Sequence, residues 1–193
     1  MLALSPRAVQ RLESFTPPRP LPKLFRIVKD GRVDRAIFAG ETINTPSMMC
    51  VEDCLNALSW AESIGGLSAL QARANANAQV LFDWIERTPW IANLAVSRET
   101  WSNTSVCLRF CDRAITNLAT GAQLTFSQNV SQRLADEGAA FDVASYRGVP
   151  PGLRIWTGAT IDEADVAALL PWIEWAYAVE IERLNSASEG GFS

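Results

Sequence analysis

The sequence predicts a mixed fold, α/β passing into α+β, on three observations. Short strand-like runs bounded by Gly and Pro alternate with helical runs in the first 40 residues. Two segments of helical apolar spacing then fill the stretch up to Pro89. From about residue 90 the order becomes β-β-α-β-β-α, which describes a compact sheet covered by helices on one face.

Met1–Leu4 is apolar and short, as in a buried strand. Ser5-Pro6 opens a helix through about Ser14, because serine caps well and proline suits the first helical position. Thr16–Pro22 holds four prolines and reads as an extended loop. Leu24–Val28 and Val33–Phe38 are β-like, with Asp30-Gly31 as the hairpin turn between them. Gly40–Met48 reads as a loop. From Ser47 the positions Met48, Val51, Leu55, Leu58 and Ala61 recur at helical spacing until Gly65-Gly66 stops the helix. A longer helix covers about Leu67–Thr88, with Leu70, Ala74, Val80, Leu81, Trp84 and Ile85 on one broad face, and Pro89 ends it.

Beyond Pro89, Ile91–Val96 and Ser105–Cys111 read as strands. Leu124–Glu137 reads as a helix with Gly138 as its C-cap. Ala140–Tyr146 and Gly152–Thr157 read as two further strands around Gly148-Val149-Pro150-Pro151. Ile161–Leu184 is helical, capped by Thr160 or Asp162, and Pro171 should kink or split it. Leu169, Leu170, Trp172, Ile173 and Trp175 are expected to face the core. The tail from Ser186 to Ser193 is expected to be disordered.

Composition narrows the function. The 193 residues are 48% hydrophobic and 20% charged, enough apolar content for a real core. A net charge of -4 argues against binding a nucleic-acid backbone. The absence of histidine removes Ser-His-Asp and Cys-His catalysis and most zinc chemistry. Cys50/Cys54 and Cys107/Cys111 both have a four-residue offset, unlike a C-x2-C knuckle, so no metal site is expected. No apolar run reaches the length of a membrane span and no secretory signal precedes Ser5-Pro6, so the chain is expected to be cytoplasmic with reduced thiols. Lys23 and Lys29 are the two lysines, and the other fifteen of the seventeen basic residues are arginines, the side chain that grips carboxylates and phosphates through paired hydrogen bonds.

Three features carry candidate chemistry. Gly40–Ser47 is a polar loop running into a helix N-terminus, a natural anion site, although residue types alone favour Asn44 and Thr45 merely capping the loop. Arg147 ends one strand. Arg154 sits within the apolar string Gly152-Leu153-Arg154-Ile155-Trp156, and a buried guanidinium needs either an internal acid or a bound anion.

Several strings resemble the phosphoserine aminotransferase family, specifically its α-proteobacterial kind: Leu4–Val9, Gly40–Ser47 with Cys50-Val51-Glu52-Asp53, Thr88–Val96, Ser102–Leu108 and Gly152–Trp156. The resemblance runs in order to about Leu184. It implies a class V, fold-type I pyridoxal-phosphate transaminase that converts 3-phosphohydroxypyruvate and glutamate to phosphoserine and 2-oxoglutarate in serine biosynthesis, as a homodimer. It also implies that Asn44 and Thr45 reach the cofactor phosphate of the neighbouring subunit, that Arg154 holds the substrate α-carboxylate, and that Arg147 faces the substrate phosphate. Here Tyr146-Arg147 stands where some relatives have His-Arg.

On the same resemblance, residues 1–65 correspond to the C-terminal end of the large cofactor domain, 66–89 to a linking helix and 90–185 to the small α+β domain, before the tail at 186–193. The family's Schiff-base lysine falls just before the segment matching Met1. The expectation is therefore a C-terminal part with no catalytic lysine and no activity alone, from a gene fragment, a mis-called start or an excised domain. The alternatives are a non-catalytic module that binds a partner or complementing half, and a free-standing amino-acid-binding regulatory module.

Overall fold

A computed structural model describes residues 2–189 of the chain. They form two compact units with the boundary between Leu58 and Ser59.

In the first unit, helix α1 spans Pro6–Ser14 and begins as its sequence dictates: the Ser5 hydroxyl accepts from the Ala8 amide at 3.2 Å and Pro6 occupies the first turn. Strands β1 (Val28–Lys29) and β2 (Arg32–Val33) pair antiparallel. Asp30 (φ 52°) and Gly31 (φ 75°) make the two-residue turn, both left-handed as such a hairpin requires. The Val33 amide donates to Glu13 Oε1 at 3.1 Å and ties the hairpin to α1.

The hairpin strands are much shorter than the β-like runs that predict them. Lys23–Phe25 and Arg35–Ala39 wind instead into 3-10 turns. Asp34 explains the second: its carboxylate accepts from the Ala36 amide at 3.0 Å, offering the backbone a local partner in place of a ladder. Residues 2–4 are irregular rather than a strand. No residue between 2 and 58 is buried. Helix α2, Met48–Ser63, crosses the boundary between the units.

The second unit holds the core. Helix α3 (Gly66–Arg87) follows the left-handed Gly65. Strands β3 (Ile91–Asn93), β4 (Ser105–Phe110) and β5 (Leu153–Trp156) form an antiparallel sheet in the order β3-β4-β5. Between β4 and β5 lie a single helical turn α4 (Arg113–Thr116) and helix α5 (Thr120–Asp136), which ends at the left-handed Gly138. Helix α6 runs Glu163–Glu189.

The core is where the three long helices meet one sheet face. Leu81, Trp84 and Ile85 of α3, Phe126, Val130 and Leu134 of α5, and Val166, Leu170, Ile173 and Ala176 of α6 pack with Val106, Leu108, Phe110, Leu153 and Ile155 of the strands. Strand pairing is consistent with the burial: Val106 faces Ile155 and Leu108 faces Leu153, all four buried.

Four expectations need correction. Ala140–Tyr146 is not a strand; only Ala144 forms an isolated bridge, to Leu153. Pro171 does not split α6, which continues on both sides of it. Leu170 and Ile173 flank the proline and are both buried, so tertiary packing outweighs the lost amide hydrogen bond. Trp172 and Trp175 do not face the core but are 41% and 38% exposed, stacked edge to face at 5.8 Å. The buried stripe of α6 is Val166, Leu170, Ile173 and Ala176, and at 100° per residue Trp172 and Trp175 fall off it. Finally, residues 186–189 of the expected disordered tail continue α6, and the remainder lies outside the described residues.

Polar groups bind the helices together. Glu180 of α6 is buried and accepts from Arg133 Nε at 2.5 Å and from Asn129 Nδ2 at 2.9 Å, both on α5. Tyr177 stacks on Trp90 at 3.7 Å and its hydroxyl donates to Asp112 Oδ2 at 2.6 Å. Burial first, then the hydrogen bond to Asp112 and its negative charge, push the Tyr177 phenol well above the ordinary tyrosine value. A raised folded-state value means that the stabilisation is complete below the unfolded value near 10 and is lost as pH rises beyond it. Replacing Tyr177 with Phe should therefore cost about 1 kcal/mol at neutral pH. It should also flatten the fall in stability above pH ~10, seen by urea unfolding across pH. An unchanged alkaline slope in the variant would contradict this account.

Candidate functional site

Arg154 lies at the centre of β5 and is the best-defined polar site of the second unit. Because Leu153 and Ile155 turn toward the helices, strand alternation puts Arg154 on the other face, beside Cys107 in the ladder. The residue is only 9% exposed. Its backbone amide donates to the Val143 carbonyl at 2.8 Å, which brings the 142–146 segment across the guanidinium.

Three contacts then position the side chain. Nη2 donates to Asp142 Oδ2 at 2.8 Å and to the Asp142 main-chain carbonyl at 3.2 Å. The guanidinium carbon lies 4.3 Å from the ring centre of Tyr146, a cation–π contact. Nε is buried and has no hydrogen-bond partner. The sequence required an acid or an anion for this arginine, and the acid present is Asp142. It is not a core residue: its side chain is 88% exposed, on a left-handed turn with φ 55°.

The surrounding frame is rigid. Gly152 precedes β5 at a point where a Cβ would lie 1.8 Å from the Leu108 carbonyl oxygen, so no other residue fits without moving the strand. After β5, Asn77 Nδ2 donates to the Gly158 and Ile161 carbonyls at 3.1 and 3.0 Å. Arg73 adds bonds to the Ala159 and Ile161 carbonyls and to Asp162. Thus α3 clamps the loop that leaves the arginine strand.

Arg147 is exposed in the turn that follows Tyr146 and forms no ion pair among the described residues. Asn44 and Thr45 belong to the first unit. They are exposed in the loop ahead of α2, where the Thr42 hydroxyl donates to the Asn44 carbonyl at 2.6 Å and Ser47 caps the helix by accepting from the Cys50 amide at 3.4 Å. Sequence reasoning missed Asp142 and the stacking role of Tyr146. The Phe141-Asp142 pair carried no turn signal, and a left-handed aspartate is legible only once the backbone is known. Among the described residues, no group of His, Cys, Asp or Glu is placed to hold a metal ion, and all four cysteines are free. No helix is long and apolar enough to cross a membrane.

A compact antiparallel sheet presenting one clamped arginine on the face away from its helices can be compared with known proteins. No profile of a known protein family matches the chain. Phosphoserine aminotransferase of Methanosarcina mazei is 49% identical over 177 residues, 92% of this chain. This chain is similar to phosphoserine aminotransferases along nearly its whole length. The enzyme of Methanosarcina barkeri is 48% identical over 179 residues, and that of Corynebacterium glutamicum 29% over 100 residues. The chain spans 45% of the length of the two Methanosarcina relatives. The fold agrees: phosphoserine aminotransferase from Bacillus circulans subsp. alkalophilus superposes with a TM-score of 0.62 at 19% identity, over 77% of this chain and 38% of that one. A second phosphoserine aminotransferase structure gives 0.59 at 17% identity over 74% of this chain and 36% of that one. The mixed helix-and-sheet architecture expected from the sequence is thus the fold of part of a phosphoserine aminotransferase.

The close approach at Gly152 gives a direct test of how this site is held. Gly152→Ala should destabilise the second unit by about 3 kcal/mol, because the obstacle is backbone and cannot rotate away. Thermal unfolding should show a fall in Tm of roughly 10 °C. A neutral substitution would mean that the β4–β5 ladder is looser than described.

Proposed function

We propose that this chain provides the substrate-gripping part of a phosphoserine aminotransferase, acting between 3-phosphohydroxypyruvate and glutamate on one side and phosphoserine and 2-oxoglutarate on the other. One observation carries the reading: Arg154 is buried with its Nε unpartnered, while among the described residues its ionic partner is an exposed turn carboxylate. A buried charged donor left without an acceptor is costly, and a bound carboxylate would supply what is missing. Arg154 then takes the α-carboxylate that both amino acids carry, through two parallel hydrogen bonds. Arg147, exposed and without an ion pair among the described residues, takes the phosphate that only phosphoserine and its oxo acid carry. The similarity to the Methanosarcina relatives supports the substrate assignment.

The cofactor on this reading is pyridoxal phosphate, which when bound supplies the electron sink for moving the amino group. Asn44 and Thr45 suit its phosphate: their exposed side chains are neutral hydrogen-bond donors a few residues ahead of a capped helix N-terminus. On the family pattern they serve the neighbouring subunit of a homodimer, in the cytoplasm. Lys23 and Lys29 are both exposed, one in a 3-10 turn after the proline loop and one in the two-residue-turn hairpin. Neither suits covalent attachment of the cofactor, and we expect the 193 residues alone to be inactive. Borohydride reduction with one equivalent of pyridoxal phosphate should label Lys23 and Lys29 no more than an ordinary surface amine, as read by mass spectrometry. Stoichiometric labelling of either would overturn this part of the reading.

A second reading, a non-catalytic module that binds a complementing chain, is favoured by the first unit, where Leu24, Phe25, Met48, Met49 and Leu55 are all exposed. Ligand affinity separates the two. On the first reading, Arg154→Lys weakens binding of phosphoserine and glutamate alike, by roughly tenfold or more, because lysine keeps the charge and loses the fork. Arg147→Ala weakens phosphoserine more than glutamate. A purely structural Arg154 predicts the opposite: a lowered Tm with unchanged affinity in the folded fraction.

A further inference from the structure

We propose that Asp142 is a built-in competitor for the substrate: its carboxylate occupies Arg154 in the empty site and is displaced when a substrate carboxylate arrives. The inference rests on the carboxylate role proposed above for Arg154.

Four features of the contact distinguish a placeholder from a permanent partner. First, the pairing is incomplete. A single nitrogen, Nη2, meets a single carboxylate oxygen, Oδ2, and Nε stays buried and unpaired. A carboxylate free to choose its approach can make two parallel bonds to the same planar fork.

Second, Asp142 gives up little by leaving. Its side chain is 88% exposed, so its charge is already largely hydrated and returns to water without a desolvation penalty. Compare Glu180, buried and held by Arg133 and Asn129, where departure would strand a charge in the core.

Third, Arg154 does not need the Asp142 carboxylate to keep its place. The main-chain carbonyl of Asp142 also accepts from Nη2, at 3.2 Å, and the Tyr146 ring covers the guanidinium at 4.3 Å. Both contacts survive rotation of the Asp142 side chain. The guanidinium is therefore pre-positioned by backbone and ring, and the carboxylate adds its charge and one further hydrogen bond.

Fourth, the chemistry matches. The group on Arg154 is a carboxylate, the same group that the proposed substrates present, so the two cannot hold Nη2 at once without like-charge repulsion. The Arg154–Asp142 pair is neutral, and occupancy exchanges one carboxylate on Arg154 for another. The consequence is a small, uniform reduction in affinity for every ligand that uses Arg154, whatever its side chain.

The test is a titration of the 193-residue chain with L-glutamate, which has the α-carboxylate but no phosphate. The readout is the backbone amide signals of Leu153–Thr157 in heteronuclear NMR. Asp142→Asn keeps size and a hydrogen-bond acceptor and tolerates the left-handed turn. It should bind glutamate about three- to fivefold more tightly than the unaltered chain, the range expected for removing one exposed ionic competitor. Asp142→Gly, which suits the positive φ and has no side chain, should do the same and guards against an effect peculiar to asparagine. Arg154-dependent binding that both variants leave unchanged or weaken overturns the placeholder and makes Asp142 a positioning residue. Binding that Arg154→Lys does not alter, or no Arg154-dependent shift in any chain, overturns the carboxylate role itself and the placeholder with it.

Discussion

The ladder between β4 and β5 is the constraint from which the second unit follows. Four residue pairs from Ser105↔Trp156 to Leu108↔Leu153 fix which side chains meet the helices. A slip of one residue would send Arg154 into the core and Leu153 and Ile155 out of it. Gly152 guards this register, since only a residue without a Cβ can lie against the Leu108 carbonyl. Everything beyond the strand depends on that setting. The Val143 carbonyl reaches the Arg154 amide, the 142–146 segment crosses the arginine, and α3 receives the outgoing loop through Arg73 and Asn77.

The polar groups of the unit fall into two energetic kinds. Glu180 with Arg133 and Asn129, and Tyr177 with Asp112, join helices or close a turn and have their principal partners in place. Such groups resist removal because a lone survivor would be buried and unpaired. Arg154 is different. It is as secluded as the core polar residues, yet its acid faces water and one of its donors has no partner. That asymmetry marks it as a functional candidate: Asn93 Nδ2 is also buried without a partner, but it is a neutral amide, whereas Arg154 Nε belongs to a charged group.

Most of the fold was legible where a local rule has one structural answer. Ser5-Pro6 capped a helix, Asp30-Gly31 turned a hairpin, Gly65 and Gly138 took left-handed stops, and Thr88 ended α3 before Pro89. Legibility failed where tertiary packing decides. The run Ala140–Tyr146 has strand-like residues, but its strand pairing is a single bridge at Ala144, so it stays irregular. Trp172 and Trp175 look like core residues by type, but the stripe set by Val166, Leu170 and Ile173 excludes them. Arg154 was readable as an anomaly because a charge in an apolar strand needs an explanation. Its partner was not, because Asp142 is an exposed turn residue distinguished only by its backbone.

The two arginines of the candidate site differ in the way that their proposed ligands differ. A carboxylate is planar and shared by every amino acid, so its receptor gains from being fixed: Arg154 is held by a strand, a carbonyl and a ring, and little conformational freedom remains to be lost on binding. A phosphate sits at the end of a side chain and carries more charge, so its receptor gains from reach. Arg147 is exposed in a turn and held by no ion pair among the described residues. Tyr146 links them, lying on one arginine and adjoining the other in sequence. The tyrosine gives a ring that cannot gain a positive charge, so it covers Arg154 without like-charge repulsion. Among the described residues, the carboxylate that any anionic ligand of Arg154 would have to displace is that of Asp142.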